Sequence, residues 1–136
     1  MKRYIKSSFG KFDSVKFANE LKKNLIELLP KRAHVIVNPQ YDVISIDDTR
    51  RATVPEERLW KISESQFKKI LKRAIENTGC KVYSVPEGDH IAFAAVNSDD
   101  WWTCVDFLYI DYENTFEVYI DYNRGNALFE DWYADI

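Results

Sequence analysis

Carboxylates alternate with aromatic residues in the stretch FLYIDYENTFEVYIDY at residues 107–122. Two alternating runs around a short polar segment are typical of a β-hairpin, which would place Asp111, Glu117 and Asp121 on its strands. Carboxylates held by a rigid sheet can coordinate a hard metal ion, exchange protons, or contact a basic partner. The register of the hairpin determines which of these roles is open to the chain.

Residues that face each other across an antiparallel pair share one side of the sheet. A loop of residues 113–115 would place Ile110 opposite Val118, on a uniformly apolar side suited to the core. The other side would then pair Asp111 with Glu117 across the hairpin. We predict that this second side is a partner-binding surface, formed by Phe107, Tyr109, Asp111, Glu117, Tyr119 and Asp121.

A metal enzyme is the alternative use of these carboxylates. Asp106 could join them as a ligand for magnesium or manganese, but the register above places it on the side opposite Asp111. Cys80 and Cys104 have no metal-type spacing, and the chain contains no GxGxxG, P-loop, HExxH or GxSxG motif. We therefore predict no catalytic residue, metal or cofactor, and keep a carboxylate-dependent hydrolase or nuclease as the alternative.

Charge is distributed unevenly along the chain. Residues 1–85 contain 18 Lys and Arg against 10 Asp and Glu, whereas residues 86–136 contain one cation and 12 carboxylates. Such an asymmetry indicates a charged partner more than it indicates a fold, although the two halves could also neutralise each other. The acidic half predicts a basic protein surface as the partner.

Two amphipathic helices are marked by their start signals. Asp13 is a predicted N-cap with Phe12 and Phe17 as a hydrophobic staple, and Pro30 ends the first helix. Ser63 and Gln66 form a predicted capping box for the second helix. Gly79 is expected just beyond its end.

Strand patterns follow each helix, first around Asn38–Pro39 and then in two predicted hairpins after Gly79. We predict one α+β domain over residues 1–136, in the order α-ββ-α-ββ-ββ, with both helices on one face of a largely antiparallel sheet. The predicted core contains Phe17, Leu21, Leu25, Phe67, Ile70, Leu71, Ala74, Ile110, Val118 and Ile120.

Location is predicted from what the chain lacks. No apolar run approaches the length of a membrane span, and the start MKRYIKSSFGKF has no apolar signal region. We expect a cytoplasmic protein with no membrane partner.

These features together favour a small protein-binding domain with an acidic face. If the partner surface normally holds nucleic acid, the protein would act as an inhibitor of a nucleic-acid-handling enzyme by nucleic-acid mimicry. The small size, acidic end and missing catalytic motifs are similar in character to inhibitor proteins of phages and toxin–immunity systems, with no shared motif. Direct nucleic-acid binding through the basic N-terminal half is a weaker alternative. The partner's identity and the oligomeric state stay open.

Overall fold

The structure is a computed structural model that describes residues 12–55, 58–59, 61–87, 90–110 and 115–121. The described chain forms two helices, α1 (Ser14–Leu28) and α2 (Glu64–Glu76), and six strands: β1 (Ala33–Val37), β2 (Val43–Asp48), β3 (Lys81–Glu87), β4 (His90–Val96), β5 (Trp102–Ile110) and β6 (Thr115–Ile120). Neither described helix is long and apolar enough to cross a membrane.

Both helices begin at the predicted caps. The Asp13 carboxylate accepts a hydrogen bond from the Lys16 amide at 3.0 Å, satisfying one of the donors that a helix start leaves unpaired. Ser63 and Gln66 exchange hydrogen bonds between side chain and backbone in a complete capping box at the start of α2. Gly79 follows α2 with a φ of +94°, a conformation that favours glycine.

The six strands form one sheet in the order β1-β2-β6-β5-β4-β3, and every neighbouring pair is antiparallel. The predicted α+β class and antiparallel sheet are confirmed. The last four strands form a continuous meander where two separate hairpins were predicted, because β4 also pairs with β5 and sets Phe93 opposite Val105. The β1–β2 hairpin joins this meander through β6.

The main core lies between the helices and one side of the sheet, which we call the helix-covered face. Its centre is the Phe67 ring of α2, stacked on Phe116 of β6 with centroids 4.1 Å apart. The register places the buried strand residues of this cluster on the same side of the sheet. The cluster includes Phe17, Leu21, Leu25, Val35, Ile44, Ile46, Leu71, Ile75, Phe93, Val105, Val118 and Ile120.

The opposite side of the sheet, which we call the open face, carries a second buried cluster over β3, β4 and the start of β5. Val85, Ala94, Val96, Trp102 and Cys104 belong to it. Strand β4 is therefore buried on both sides, as expected for an uninterrupted apolar run such as HIAFAAV.

Eight of the ten predicted core residues are buried, whereas Ile70 and Ile110 are only partly buried. Ile70 is half-buried and packs against the edge of the main cluster. Ile110 was placed wrongly, because it lies on the open face opposite Thr115.

An ion pair fixes the loop that follows β2. Asp48 is buried, and the Arg50 guanidinium donates to both of its carboxylate oxygens at 3.0 and 3.2 Å. The Arg50 amide donates to the same carboxylate at 2.8 Å. The neighbouring Arg51 is more exposed and bonds to Asp47 and Thr115 at 3.3 and 3.2 Å.

Two leucines provide a matched test of the core. Leu71→Ala removes a fully buried side chain and should lower the free energy of unfolding by about 3–5 kcal/mol. Leu108→Ala removes the same atoms from a side chain that is 53% exposed and should cost less than about 1 kcal/mol. Urea unfolding of the two variants measures both values, and similar losses would contradict the packing described here.

The two arginines provide a second matched pair. Arg50→Ala leaves the buried Asp48 carboxylate without this guanidinium and should lower the free energy of unfolding by about 2–4 kcal/mol. Arg51→Ala removes an exposed ion pair and should cost about 0–1 kcal/mol. Thermal and urea unfolding compare the two, and equal costs would show that the burial of Asp48 is energetically unimportant.

Candidate functional site

The pairing of β5 with β6 differs by three residues from the predicted hairpin register. Leu108 lies opposite Glu117, Tyr109 opposite Phe116, and Ile110 opposite Thr115. The prediction that Ile110 faces Val118 is wrong, and four residues separate the strands where three were predicted. Because side chains alternate between faces, an odd shift exchanges the two faces of β5 relative to β6.

The shift moves two predicted partner-binding residues to the helix-covered face. The Phe107 ring lies 5.1 Å from Phe67, and the Tyr109 ring lies 4.6 Å from Phe116. These rings pack against the main core beneath α2, which is the physical reason for the observed register. Phe107 and Tyr109 therefore lie on the helix-covered face and not on the face predicted for them, while partner binding by these residues stays a prediction.

Of the other four predicted partner-binding residues, the structure describes Glu117, Tyr119 and Asp121. Glu117 and Tyr119 lie on the open face, separated from Phe107 and Tyr109. Asp121 is exposed just after β6, with a φ of 60° and its amide bonded to the Cys104 carbonyl at 2.8 Å. Asp111 lies outside the described residues.

The structure brings together a different set of side chains, which we call the β5–β6 patch: Asp106, Leu108, Ile110, Glu117 and Tyr119. Strand alternation places the first three on the open face, where Tyr119 opposes Asp106 and Glu117 opposes Leu108. Asp106 was predicted on the opposite side from the hairpin acids, and it lies instead on the same face as Glu117. Leu108 is 53% exposed between these carboxylates.

Two members of the patch share a hydrogen bond. The Tyr119 hydroxyl donates to a Glu117 carboxylate oxygen at 2.7 Å. This bond raises the pKa of Tyr119 to about 12, with smaller contributions from burial and from the negative charges of Glu117 and Asp106. At neutral pH the tyrosine is protonated and holds the Glu117 carboxylate in place.

Asp47, the carboxylate of β2 on the open face, is already paired. Asp47 of β2 lies 3.2 Å from a His34 ring nitrogen and 3.3 Å from the Arg51 guanidinium. Within the described chain, no Lys, Arg or His forms an ion pair with Glu117. The Glu117 carboxylate of the β5–β6 patch can therefore offer its charge to a cationic partner.

Possible metal ligands and the two cysteines complete the description of the site. Nowhere in them do three or more His, Cys, Asp or Glu side chains form a group that could hold a metal ion. Both cysteines are free thiols. Burial raises the pKa of Cys80, which disfavours the nucleophilic thiolate at neutral pH.

A groove of about 440 Å³ passes beside Cys80, between the start of α1 and the turns before β3 and β5. Its charged lining is mixed, with Lys16 beside Glu20, Asp13 and Asp99. No local sequence pattern indicates this groove, since its walls come from segments far apart in the chain.

The basic residues of α2 lie on the helix side of the sheet, away from the β5–β6 patch. Lys69, Lys72 and Arg73 are exposed. The Lys68 ammonium lies 5.9 Å from the centre of the Phe93 ring, which belongs to the helix-covered face. The exposed cations of α2 and the carboxylates of the β5–β6 patch are thus on opposite sides of the sheet.

Comparisons with known protein families, characterised proteins and solved structures found no match to this chain. The function is therefore inferred from the side chains described above.

Alkaline pH tests the geometry of the Tyr119–Glu117 bond. Because the pKa of Tyr119 is higher in the folded chain than its ordinary value of 10.0, the protonated hydroxyl favours folding. This stabilisation is fully present below pH ~10 and is lost as pH rises towards 12. We expect the difference in unfolding free energy between wild type and Tyr119→Phe to fall over that interval.

The Glu117→Gln variant is the control for this titration. It keeps a hydrogen-bond acceptor but removes the charge, so the ionisation of Tyr119, followed by its ultraviolet absorbance, should move to lower pH. An unchanged titration in Glu117→Gln would show that Glu117 does not control Tyr119.

Proposed function

We propose that this protein acts in the cytoplasm by binding a basic surface of another protein through the β5–β6 patch. The observation that supports this best is the exposed Leu108, which lies opposite Glu117 and two residues from Asp106 on one rigid sheet. An exposed apolar side chain beside carboxylates matches the chemistry of lysine and arginine. Their aliphatic stems pack on apolar surface while their charged ends reach an acid.

The remaining patch residues support the same partner chemistry. Ile110 extends the apolar area along β5, and Tyr119 adds an amphipathic ring of the kind enriched at binding hot spots. The hydrogen bond to Tyr119 orients Glu117 before binding, which reduces the entropy lost when a partner arginine or lysine pairs with it.

A more specific form of the proposal is inhibition of a nucleic-acid-handling enzyme by mimicry. Asp106 and Glu117 are diagonal neighbours across the strand pair, about 7–8 Å apart by sheet geometry. Fixed negative charges at such spacing could occupy a cleft that binds phosphates. The 12 carboxylates of residues 86–136 would attract such a cleft from a distance.

One alternative has a specific observation in its favour. The exposed Lys69, Lys72 and Arg73 on α2 could contact phosphates directly, which would make the protein a nucleic-acid binder. This surface is on the other side of the sheet from the patch, so mutations can separate the two functions.

Charge reversal tests the proposed function. Asp106→Lys with Glu117→Lys should abolish capture of basic proteins from a lysate of the source cells, because attraction becomes repulsion at the contact. Binding by wild type should weaken as salt rises, since screening shortens the reach of charges to about 8 Å at physiological ionic strength. Captured proteins are identified by mass spectrometry, and one is purified for kinetic measurements.

The control is Glu27→Lys with Glu76→Lys, which changes net charge equally on exposed helix positions. It should retain the partners that the patch variant loses. Recovery of the same proteins by wild type and patch variant would refute the proposal. Mimicry additionally requires that added nucleic acid displaces the purified partner, and binding of nucleic acid that is lost in Lys69→Glu with Lys72→Glu would instead support the alternative.

A further inference from the structure

Strand β1 forms one edge of the sheet, with a row of backbone groups directed away from its neighbour. The Asn38 amide bonds to the Val43 carbonyl and the Thr49 amide to the Arg32 carbonyl, so the even-numbered residues of β1 direct their polar groups towards β2. The amides and carbonyls of Val35 and Val37 therefore point outward from the sheet. Such an edge can accept another strand.

Among the described residues, the edge strand β3 has features that protect an edge, and β1 lacks them. Strand β3 contains Pro86, which has no amide hydrogen to offer a new strand, and carries Lys81 and Glu87 at its two ends. The β1 sequence AHVIV contains no proline and no permanently charged side chain. Ile36, on the open face of this edge, is 48% exposed.

Helix α1 exposes apolar residues on the same side of the molecule. The Asn24 amide bonds to the Ala74 carbonyl, which identifies the side of α1 that faces α2. At about 100° per residue, Val15 and Ile26 lie about 180–200° from Asn24, on the side away from α2. Helix α1 packs over β1, whereas α2 packs over β3 and β4. Val15 and Ile26 therefore border the β1 edge, and they are 49% and 50% exposed.

We propose that the β1 edge pairs with β1 of a second copy of this chain, forming one continuous antiparallel sheet around a two-fold axis at Ile36. In this register the Val35 amide donates to the Val37 carbonyl of the second copy. The Val37 amide likewise donates to the Val35 carbonyl of the second copy. Every outward donor of these residues is satisfied, and Ile36 packs against Ile36 of the second copy.

The ends of the strand fit this self-pairing. Lys31, just before β1, would come beside the turn after β1 of the second copy, where Asp42 is held by an Asn38 hydrogen bond of 2.7 Å. Opposite charges thus meet at both ends of a neutral strand. In the helix layer, Val15 and Ile26 would lie between the two α1 helices, and the stem of Lys22 can pack there with its ammonium in water.

Solution mass measures the predicted dimer directly. Light scattering and sedimentation of the full chain should give twice the 16.0 kDa monomer mass as concentration rises. Ile36→Lys places two like charges on the axis and should weaken association by about 100-fold or more, since such a juxtaposition costs several kcal/mol. A chain that stays monomeric at high concentration would overturn the proposal.

Leu108→Lys is the matched control, because Leu108 is as exposed as Ile36 on the same face but lies on β5. It should dimerise like wild type, and equal loss of the dimer in both variants would count against the β1 edge. Amide exchange adds a local readout: the Val35 and Val37 amides should become protected in the dimer. A dimer that leaves these amides unprotected, or that survives Ile36→Lys, would also refute the proposal.

The two proposals can fail separately. The Ile36→Lys monomer should still capture partners through the β5–β6 patch, whereas the Asp106→Lys, Glu117→Lys variant should still dimerise. Loss of both properties in either variant, with the fold intact by circular dichroism, would show that the surfaces are not independent.

Discussion

The stacking of Phe67 on Phe116 is the contact on which the rest of the structure depends. It holds α2 against the middle of the sheet, and Phe107 and Tyr109 complete the aromatic group from β5. Aromatic rings bury large areas and contribute about 0.5–1.5 kcal/mol per pair beyond that burial. Once these rings face α2, alternation along the strands determines which side chains remain on the open face.

The same two strands therefore supply the core on one side and a charged patch on the other. Asp106 and Glu117 reach the open face because their strand neighbours Phe107 and Phe116 are required beneath α2. Two like charges on one face of a sheet repel each other, which costs free energy. The Tyr119 hydroxyl offsets part of this cost by donating to Glu117, and a cationic partner would remove the rest.

Local signals in the sequence predicted the helices and the antiparallel sheet, but not the register of β5 with β6. The caps at Asp13 and Ser63 depend on residues three positions away, so they can be identified without tertiary information. By contrast, the segments FLYI and FEVYI carry large side chains at both their odd-numbered and their even-numbered positions. The predicted register and the observed register therefore each give the strand pair one apolar side. The register is decided by packing against Phe67, which precedes Phe107 by forty residues in the chain. No local pattern in the sequence reveals where Phe67 lies. The pairing of β2 with β6 is equally non-local.

The sheet order also determines how the two proposed surfaces would act together. Strands β1 and β5 are separated by β2 and β6, which places their axes about 14 Å apart. Side chains on strands that far apart share no contact, so mutations at the two surfaces should have additive effects on stability. A two-fold axis perpendicular to a continuous sheet keeps both open faces on the same side. Two copies paired through β1 would therefore present two acidic patches in one direction. A partner with two basic sites at a matching separation would bind both patches. It would bind more tightly than through either contact alone, because the first contact raises the effective concentration of the second.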